Sequence, residues 1–285
     1  MTTLQDLQTP CAPNFCPGCG DFSIWAAFKN AAVKEGWNNT NTVLTAGVGC
    51  HGHILNFVKI NAFGSLHGRA VPVAEGARMA NDSLNVFVFT GDGDSLAEGT
   101  NHYIHAARRN HDLTIILHDN AIYGLTTGQT SPRSPQGYKS KSTPLGNPDH
   151  PVNPLTLAIA SGATFVSRVY ASHIPQVTDM IIKANQHKGL AIVDILQPCI
   201  TFNKEYDNNF YQDNTYYLGE DHDPKNKTQA FEKALEWGEK KIPLGIFYQE
   251  DSPSYESQIP QIRQTTQDAI KCEKRDITPL FEKFK

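Results

Sequence analysis

The stretch NVFVFTGDGD, residues 85–94, predicts a buried strand that runs directly into a glycine-rich turn. Residues 86–89 are continuously apolar, which is typical of a strand covered on both faces of a parallel sheet. Ligands of such sheets bind at the carboxyl ends of the strands, where GDGD lies. Gly91 and Gly93 allow backbone N–H groups to approach a phosphate closely, and the N-terminus of a following helix favours negative charge. We therefore predict a phosphate site after this strand.

Asp92, between the two glycines, predicts a cation at this site, because a carboxylate and a phosphate repel each other unless a cation separates them. Mg²⁺ with oxygen ligands suits this position. Asn120, after the predicted strand at 113–120, would supply an amide oxygen, and Ile122 a main-chain carbonyl. A GDG turn followed by asparagine 28 residues after its aspartate resembles the thiamine diphosphate fingerprint. GDGD alone could be an ordinary surface turn, and its strand context favours the cofactor.

Strands and helices alternate along the first 200 residues, which predicts an α/β fold with a doubly wound, mostly parallel sheet. Besides 85–94 and 113–120, strands are predicted at 42–50, 164–170 and 190–199, the last of these being the final strand, and helices at 22–36, 95–109, 154–162 and 174–186. The second helix would have Ser95 as its N-cap, with Glu98 three residues further on.

The chain divides by composition near residue 205. We expect residues 1–205 to bind the cofactors, and residues 206–285, rich in Asn, Tyr, Gln and charge, to form a C-terminal extension that contacts a partner. Within this extension only EKALEWGEKK, residues 232–241, is predicted to be helical.

The bulk composition argues against nucleic acid and membranes. The net charge is −4, the pI is near 6.2, and Lys and Arg are scattered. No apolar run reaches membrane-spanning length, and the first residues lack signal-peptide character. We expect a cytoplasmic protein, whose six cysteines are metal ligands or core thiols rather than disulfides.

Four cysteines are predicted to converge on the cofactor. Cys16 and Cys19 form a CxxC pair, while Cys50 and Cys199 end predicted strands at the carboxyl edge of the sheet. Four thiolates beside a redox coenzyme fit a 4Fe–4S cluster. A structural zinc site is the alternative. Thiamine chemistry favours the cluster, because the electron pair left by decarboxylation needs an acceptor.

The two remaining cysteines, Cys11 and Cys272, are interpreted as core thiols. Cys11 is nevertheless close enough in sequence to the CxxC pair to replace a ligand in error.

The motifs CPGCG, GVGC, LHGRAVPVAEGARMAN, TGDGD, DNAIYGLTTGQTSP and QPC occur in this order over residues 10–205. The set resembles the beta subunit of 2-oxoacid:ferredoxin oxidoreductases of the 2-oxoglutarate or pyruvate type. This resemblance implies a thiamine diphosphate-binding, diphosphate-domain fold. It assigns the cluster to Cys16, Cys19, Cys50 and Cys199, and Mg²⁺ to Asp92, Asn120 and the Ile122 carbonyl. The residues that it places around thiamine diphosphate are Val48, Gly49, Cys50, His51, His67, Gly68, Arg69, Ala70, Gly93, Asp94, Gly124 and Leu125.

His53 and Arg69 are the candidates for contact with substrate. In the family, the third residue after the GxGC cysteine faces substrate, and many members carry Lys or Arg there. His53 departs from this, because a neutral imidazole holds a carboxylate less firmly than a fixed cation. The alternative for His53 is a helix-face histidine without a ligand. Arg69 could contact an anion, or be an ordinary surface or interface arginine.

The resemblance implies oxidative decarboxylation of a 2-oxoacid with coenzyme A, giving acyl-CoA, CO₂ and reduced ferredoxin. We favour 2-oxoglutarate or a broad range of 2-oxoacids over pyruvate. The pyrimidine-binding and CoA-binding domains are expected on a separate alpha subunit, in a heterodimer or heterotetramer. Two other classes remain at this point: a non-redox thiamine diphosphate decarboxylase or lyase subunit with structural zinc, and a zinc-stabilised binding module without catalysis.

Overall fold

The computed structural model describes residues 2–238, 241–259 and 278–282, with eight strands in one sheet and two in a small hairpin. The strands of the large sheet are β1 (Thr42–Ala46), β2 (Asn61–Gly64), β3 (Asn85–Gly91), β4 (Thr114–Asp119), β7 (Phe165–Tyr170), β8 (Ala191–Leu196), β9 (Thr215–Tyr217) and β10 (Ile242–Gln249). The hairpin pairs β5 (Ile122–Tyr123) with β6 (Gln129–Thr130). The helices are α1 (Asp21–Glu35), α2 (Ala70–Ala80), α3 (Thr100–Arg109), α4 (Pro154–Ser161), α5 (Ile174–Gln186), α6 (Asn208–Asn214) and α7 (Lys227–Leu235), with a short helix at Thr278–Glu282.

The large sheet has the strand order β2–β1–β3–β4–β8–β7–β10–β9. The six strands from β2 to β7 in this order run parallel, whereas β10 pairs antiparallel with β7 and parallel with β9. The predicted α/β fold with a mostly parallel sheet is confirmed. None of the helices in the described part of the chain is both long and apolar enough to cross a membrane.

Helices cover both faces of the sheet, which explains the continuous apolar strands. Phe87 and Phe89 of β3 pack on the α1 and α5 side, and Val86 and Val88 pack on the α2, α3 and α4 side. Phe28 of α1 meets both phenylalanines edge to face at 5.1 Å. Such aromatic pairs add about 0.5–1.5 kcal/mol each beyond the burial of their area.

The C-terminal region continues the sheet, so the prediction that 190–199 is the final strand is wrong. β10 has the sequence IPLGIFYQ, in which Pro243 and Gly245 interrupt the strand pattern. Its Phe247 is fully buried in the same core as Ala230 of α7. The division of the chain at residue 205, and the partner contact of the extension, stay predictions.

Three local predictions are also wrong. The helix expected at 232–241 is α7, which begins after the N-cap Asn226 and ends at Leu235. Ser95 is no N-cap, because Asp94–Glu98 forms a π-helical turn, and within the described part of the chain the buried Ser95 hydroxyl has no hydrogen-bond partner. Cys11 is exposed, not a core thiol, and Cys272 lies outside the described residues. The elements that were not predicted are β2, β5, β6, β9, β10, α2 and α6.

Candidate functional site

Two neighbouring cavities lie where β1, β3, β4 and β8 end. The first, here called the glycine cavity, has a volume of about 80 Å³. Its lining includes Val48, Gly49, Cys50, His51, His67, Gly91, Asp92, Gly93, Asp94, Asn120, Ile122, Gly124 and Leu125. Every one of these was singled out from the sequence. The fold therefore brings together segments that are far apart along the chain.

The second cavity, here called the cysteine cavity, has a volume of about 190 Å³. It is lined by Cys16, Cys19, Cys50 and Cys199, together with His53, Asp21, Gln197 and others. The CxxC pair is closed by a hydrogen bond from the Cys19 N–H to the Cys16 carbonyl at 2.9 Å. Gln197 Nε2 donates to Cys19 Sγ at 3.2 Å. The four predicted cysteines thus face one space.

The two cavities share Cys50, Asn120, Gly124 and Leu125. A β-carbon built on Gly124 would lie 3.3 Å from Cys199 Sγ, 3.7 Å from Cys50 Sγ and 3.9 Å from Asn120 Nδ2. A side chain at this position would therefore crowd both sulfurs and the amide. Gly124 therefore lies at the boundary between the cysteine cavity and the glycine cavity.

Burial favours the neutral form of three thiols that line the cysteine cavity, those of Cys19, Cys50 and Cys199. Burial, followed by the negative charge of Asp21, raises the pKa of Cys19 and raises that of Cys50 to about 12. Burial also raises the pKa of Cys199. Thiolates form in such a site when a metal centre supplies positive charge, and metal loading then releases protons.

Asp92 lines the glycine cavity and is buried, with 2% of its surface exposed. Burial and the nearby charge of Asp119 raise its pKa to about 8, although a hydrogen bond from the Ser131 hydroxyl opposes this. A buried carboxyl group with so high a pKa is suited to neutralisation by a bound cation.

Asn120 and Ile122 belong to a tight turn after β4. Asn120 Oδ1 accepts the Ile122 N–H at 3.0 Å, and Asn120 Nδ2 donates to Gln197 Oε1 at 2.9 Å. Between them Ala121 has φ 56°, a left-handed conformation that is unfavourable for alanine. The turn thus holds both predicted oxygen ligands beside Asp92 in one cavity.

The Asp94 carboxylate forms contacts that connect three loops. Its carboxylate is contacted by the N–H groups of Val48 and Gly68, the Thr90 hydroxyl, and the rings of His51 and His67, at distances between 2.7 and 3.6 Å. Burial alone would raise the pKa of Asp94, but His51 and the hydrogen bonds from Gly68 and Thr90 outweigh it and lower the pKa to about 2. Asp94 therefore connects the loop after β1, the loop before α2 and the turn after β3.

The two predicted substrate contacts lie in different places. His53 lines the cysteine cavity, and its Nδ1 lies 3.3 Å from Asn14 Oδ1. Arg69 is exposed, lines neither cavity, and contacts the His102 ring. Ala70 is buried and also lies outside both cavity linings, with its carbonyl accepting the Thr45 hydroxyl at 3.1 Å.

Sequence reasoning missed several polar residues around the cavities. The buried His118 forms a hydrogen bond with Asp21 through Nδ1 at 2.7 Å, and its Nε2 has no hydrogen-bond partner among the described residues. Tyr123 lines the glycine cavity, and its hydroxyl donates to Glu98 Oε2 at 3.2 Å. Ser131 lies within the motif DNAIYGLTTGQTSP, but no spacing rule connects its hydroxyl with Asp92.

Family comparisons identify the class of protein that this fold and site define. Residues 38–195 match the family described as thiamine pyrophosphate enzyme, C-terminal TPP binding domain. Residues 199–264 match the family of the C-terminal region of the pyruvate ferredoxin oxidoreductase beta subunit. The chain is thus a thiamine diphosphate-binding protein of the oxidoreductase type.

Individual relatives narrow this class. The 2-oxoacid:ferredoxin oxidoreductase subunit beta of Saccharolobus solfataricus is 44% identical over 260 residues, which cover 86% of this chain and 85% of the relative. The 2-oxoglutarate oxidoreductase subunit KorB of Mycobacterium tuberculosis is 46% identical over 199 residues, which cover 70% of this chain and 53% of the relative. The fold is also similar to a solved structure, a 2-oxoglutarate:ferredoxin oxidoreductase from Magnetococcus marinus with 2-oxoglutarate, coenzyme A and succinyl-CoA bound. The TM-score is 0.91 and the sequence identity is 34%, and the match covers 100% of this chain and 96% of that chain. This chain belongs to the beta subunits of the 2-oxoacid:ferredoxin oxidoreductases, and the resemblance inferred from its motifs is confirmed.

The residues of both cavities fit the groups that this family implies. In the glycine cavity, a β-carbon on Gly93 would lie 2.2 Å from Tyr123 Cε1 and one on Gly91 would lie 2.8 Å from His51 Nδ1, so only glycine leaves room beside the buried Asp92. Within the described residues no three His, Cys, Asp or Glu side chains are arranged to hold a single metal ion. Cys16, Cys19, Cys50 and Cys199 line the cysteine cavity together.

Proposed function

We propose that this chain supplies the diphosphate-binding and electron-transferring half of an active site that oxidatively decarboxylates a 2-oxoacid with coenzyme A and reduces ferredoxin. The observation that supports this most directly is the shared boundary of the two cavities at Cys50, Asn120 and Gly124. An electron donor in one cavity and an acceptor in the other would be separated by a glycine without a side chain.

The glycine cavity would hold the diphosphate of thiamine diphosphate with Mg²⁺. Asp92, Asn120 and the Ile122 carbonyl would provide three oxygen ligands on one side of the ion. The Gly91 and Gly93 backbone would leave room for the phosphates. When bound, the cofactor supplies the electron sink that decarboxylation requires.

The cysteine cavity would hold one 4Fe–4S cluster on Cys16, Cys19, Cys50 and Cys199. A tetrahedral zinc site requires all its sulfurs about 2.3 Å from one point. The lining of a cavity of about 190 Å³ by the four cysteines favours the larger cluster. This supports the redox enzyme over the non-redox thiamine enzyme with structural zinc.

His53 would face the substrate carboxylate from the cysteine cavity. When neutral His53 donates its Nδ1 proton to Asn14, Nε2 carries a lone pair that repels a carboxylate. A side chain with a fixed positive charge at this position would hold the carboxylate more firmly. The relatives are named for 2-oxoacids and 2-oxoglutarate, which supports 2-oxoglutarate or a broad range of 2-oxoacids as substrate.

An alpha subunit would complete the site. Relatives of this chain are named beta subunits, which supports assigning the pyrimidine-binding and CoA-binding parts to the partner. The assembly would be a heterodimer or heterotetramer that works in the cytoplasm with ferredoxin as acceptor.

Anaerobic co-purification with the alpha subunit tests this proposal. We expect iron and sulfide at about four atoms each per beta subunit, a brown absorption that bleaches on reduction, and CoA-dependent dye reduction in a panel of 2-oxoglutarate, pyruvate and 2-oxobutyrate. Cys199→Ser should lose iron, whereas the exposed Cys11→Ser should keep it. Zinc in place of iron, or full turnover by the isolated beta chain, would contradict the proposal.

A further inference from the structure

One buried loop, Ser131–Ser134, contacts both parts of the proposed magnesium site. The Ser131 hydroxyl donates to Asp92 Oδ2, and the Ser134 hydroxyl donates to the Ala121 carbonyl at 2.7 Å. Arg133 Nε donates to Asp119 Oδ2 at 2.7 Å, at the end of β4. Ser131, Arg133 and Ser134 are all buried, so water does not compete freely for these bonds.

The loop's internal hydrogen bonds set the direction of both hydroxyl groups. Ser131 Oγ accepts the Arg133 N–H at 3.2 Å, and Ser134 Oγ accepts the Ser131 N–H at 2.9 Å. Each hydroxyl has a single proton. Each serine oxygen already accepts one N–H from within the loop. The hydroxyl proton of Ser131 is therefore donated to Asp92, and that of Ser134 to the Ala121 carbonyl.

Ala121 is the residue that needs such support. Its left-handed conformation, with φ 56°, is unfavourable for any residue with a β-carbon and persists only where neighbouring contacts hold it. It lies between Asn120 and Ile122, so its conformation sets the relative position of their ligand oxygens. The bond from Ser134 contacts the strained peptide directly.

We propose that Ser131 and Ser134 are positioning residues for the metal ion: Ser131 orients the Asp92 carboxylate, and Ser134 holds the 120–122 turn in its ligand-presenting conformation. The inference rests on the proposed magnesium site and extends it to residues that do not touch the ion. Neighbours of metal ligands typically change metal affinity 10–100-fold when they are replaced.

Magnesium affinity in the alpha–beta complex tests this role. The complex is stripped with EDTA, saturated with thiamine diphosphate, and titrated with Mg²⁺ while binding heat and melting temperature are recorded. We expect Ser131→Ala and Ser134→Ala each to weaken Mg²⁺ binding about 10–100-fold. Ser131→Thr keeps the hydroxyl and should bind within about threefold of the wild type.

A matched control separates positioning from general stability. Ser167 is equally buried, and its hydroxyl donates to the Ile192 carbonyl at 3.0 Å within the sheet. Ser167→Ala should lower the melting temperature without changing Mg²⁺ affinity. If Ser131→Ala does not fold, Ser134→Ala, which leaves the bond to Asp92 in place, decides the question.

The outcomes distinguish the inference from the proposed function. Wild-type Mg²⁺ affinity in both alanine variants, with binding lost in Asp92→Asn, would overturn the positioning role and leave the magnesium site standing. Wild-type affinity in Asp92→Asn would overturn the site itself.

Discussion

Replacing Asp94 by asparagine should destabilise the protein before any cofactor binds. The variant keeps the shape of the side chain but removes its charge. The amide oxygen would keep the N–H groups of Val48 and Gly68, which lie 3.1 and 2.7 Å from the native Oδ1, so the amide N–H₂ would replace Oδ2, which accepts the Thr90 hydroxyl at 2.7 Å. At least one buried donor would then be left without an acceptor.

The pKa of Asp94 sets the magnitude of the effect. It falls from the ordinary value of 3.8 to about 2, and each pKa unit corresponds to 1.36 kcal/mol, so the ionised carboxylate contributes about 2.5 kcal/mol at neutral pH. An unsatisfied buried donor costs about 1–3 kcal/mol. The two figures describe overlapping contacts, so we expect Asp94→Asn to lower the free energy of unfolding by about 2–4 kcal/mol.

Urea unfolding of the apo chain, followed by far-UV circular dichroism at pH 7, measures this difference. The exposed Asp149→Asn serves as the charge-matched control and should change stability by less than about 0.5 kcal/mol. Because the native pKa is lowered, the stabilisation is present above pH 4 and is lost as pH falls toward 2. The gap between wild type and Asp94→Asn should therefore be constant from pH 7 to 5 and narrow below 4. A variant as stable as the control would refute the reasoning.

Three further predictions concern packing, a buried ion pair and substrate affinity. Gly47→Ala would place a β-carbon 1.8 Å from Asp94 Oδ2 and should lower the free energy of unfolding by at least about 1–3 kcal/mol. Gly76→Ala, in α2, would place its β-carbon more than 4 Å from the neighbouring described atoms and should raise the free energy of unfolding by about 0.5–1 kcal/mol. Thermal melts that rank the two variants alike would contradict this. Arg168→Leu removes the partner that lies 2.7 Å from the fully buried Asp194, and should lower the free energy of unfolding by about 3–5 kcal/mol. An unchanged midpoint of urea unfolding would contradict this prediction. His53→Lys should lower the KM for 2-oxoglutarate, because a fixed cation holds a carboxylate more firmly than a neutral imidazole does, and an unchanged KM would argue against a carboxylate contact.

Much of the fold could be predicted because its signals are local. The helix at 174–186 was predicted with its observed bounds, and α1 within one residue, since both have apolar faces and clear end signals. β9 and β10 were missed because their pairing depends on distant strands rather than on a pattern of their own. Ser95 failed as a cap because the π-helical turn at Asp94–Glu98 replaces an ordinary helix start.

The amino-acid sequence by itself determined the α/β class, the glycine turn after β3, the CxxC pair and the two cysteines that follow strands, because hydrophobic periodicity and turn chemistry act over a few residues. Only the tertiary structure decided that Asp94 joins three loops, that Asp21 pairs with His118, and that Ser131 donates to Asp92 across 39 residues of chain. These contacts depend on how strands order themselves and on which way each buried side chain points. Both are set by packing of the whole sheet, which no short stretch of sequence specifies.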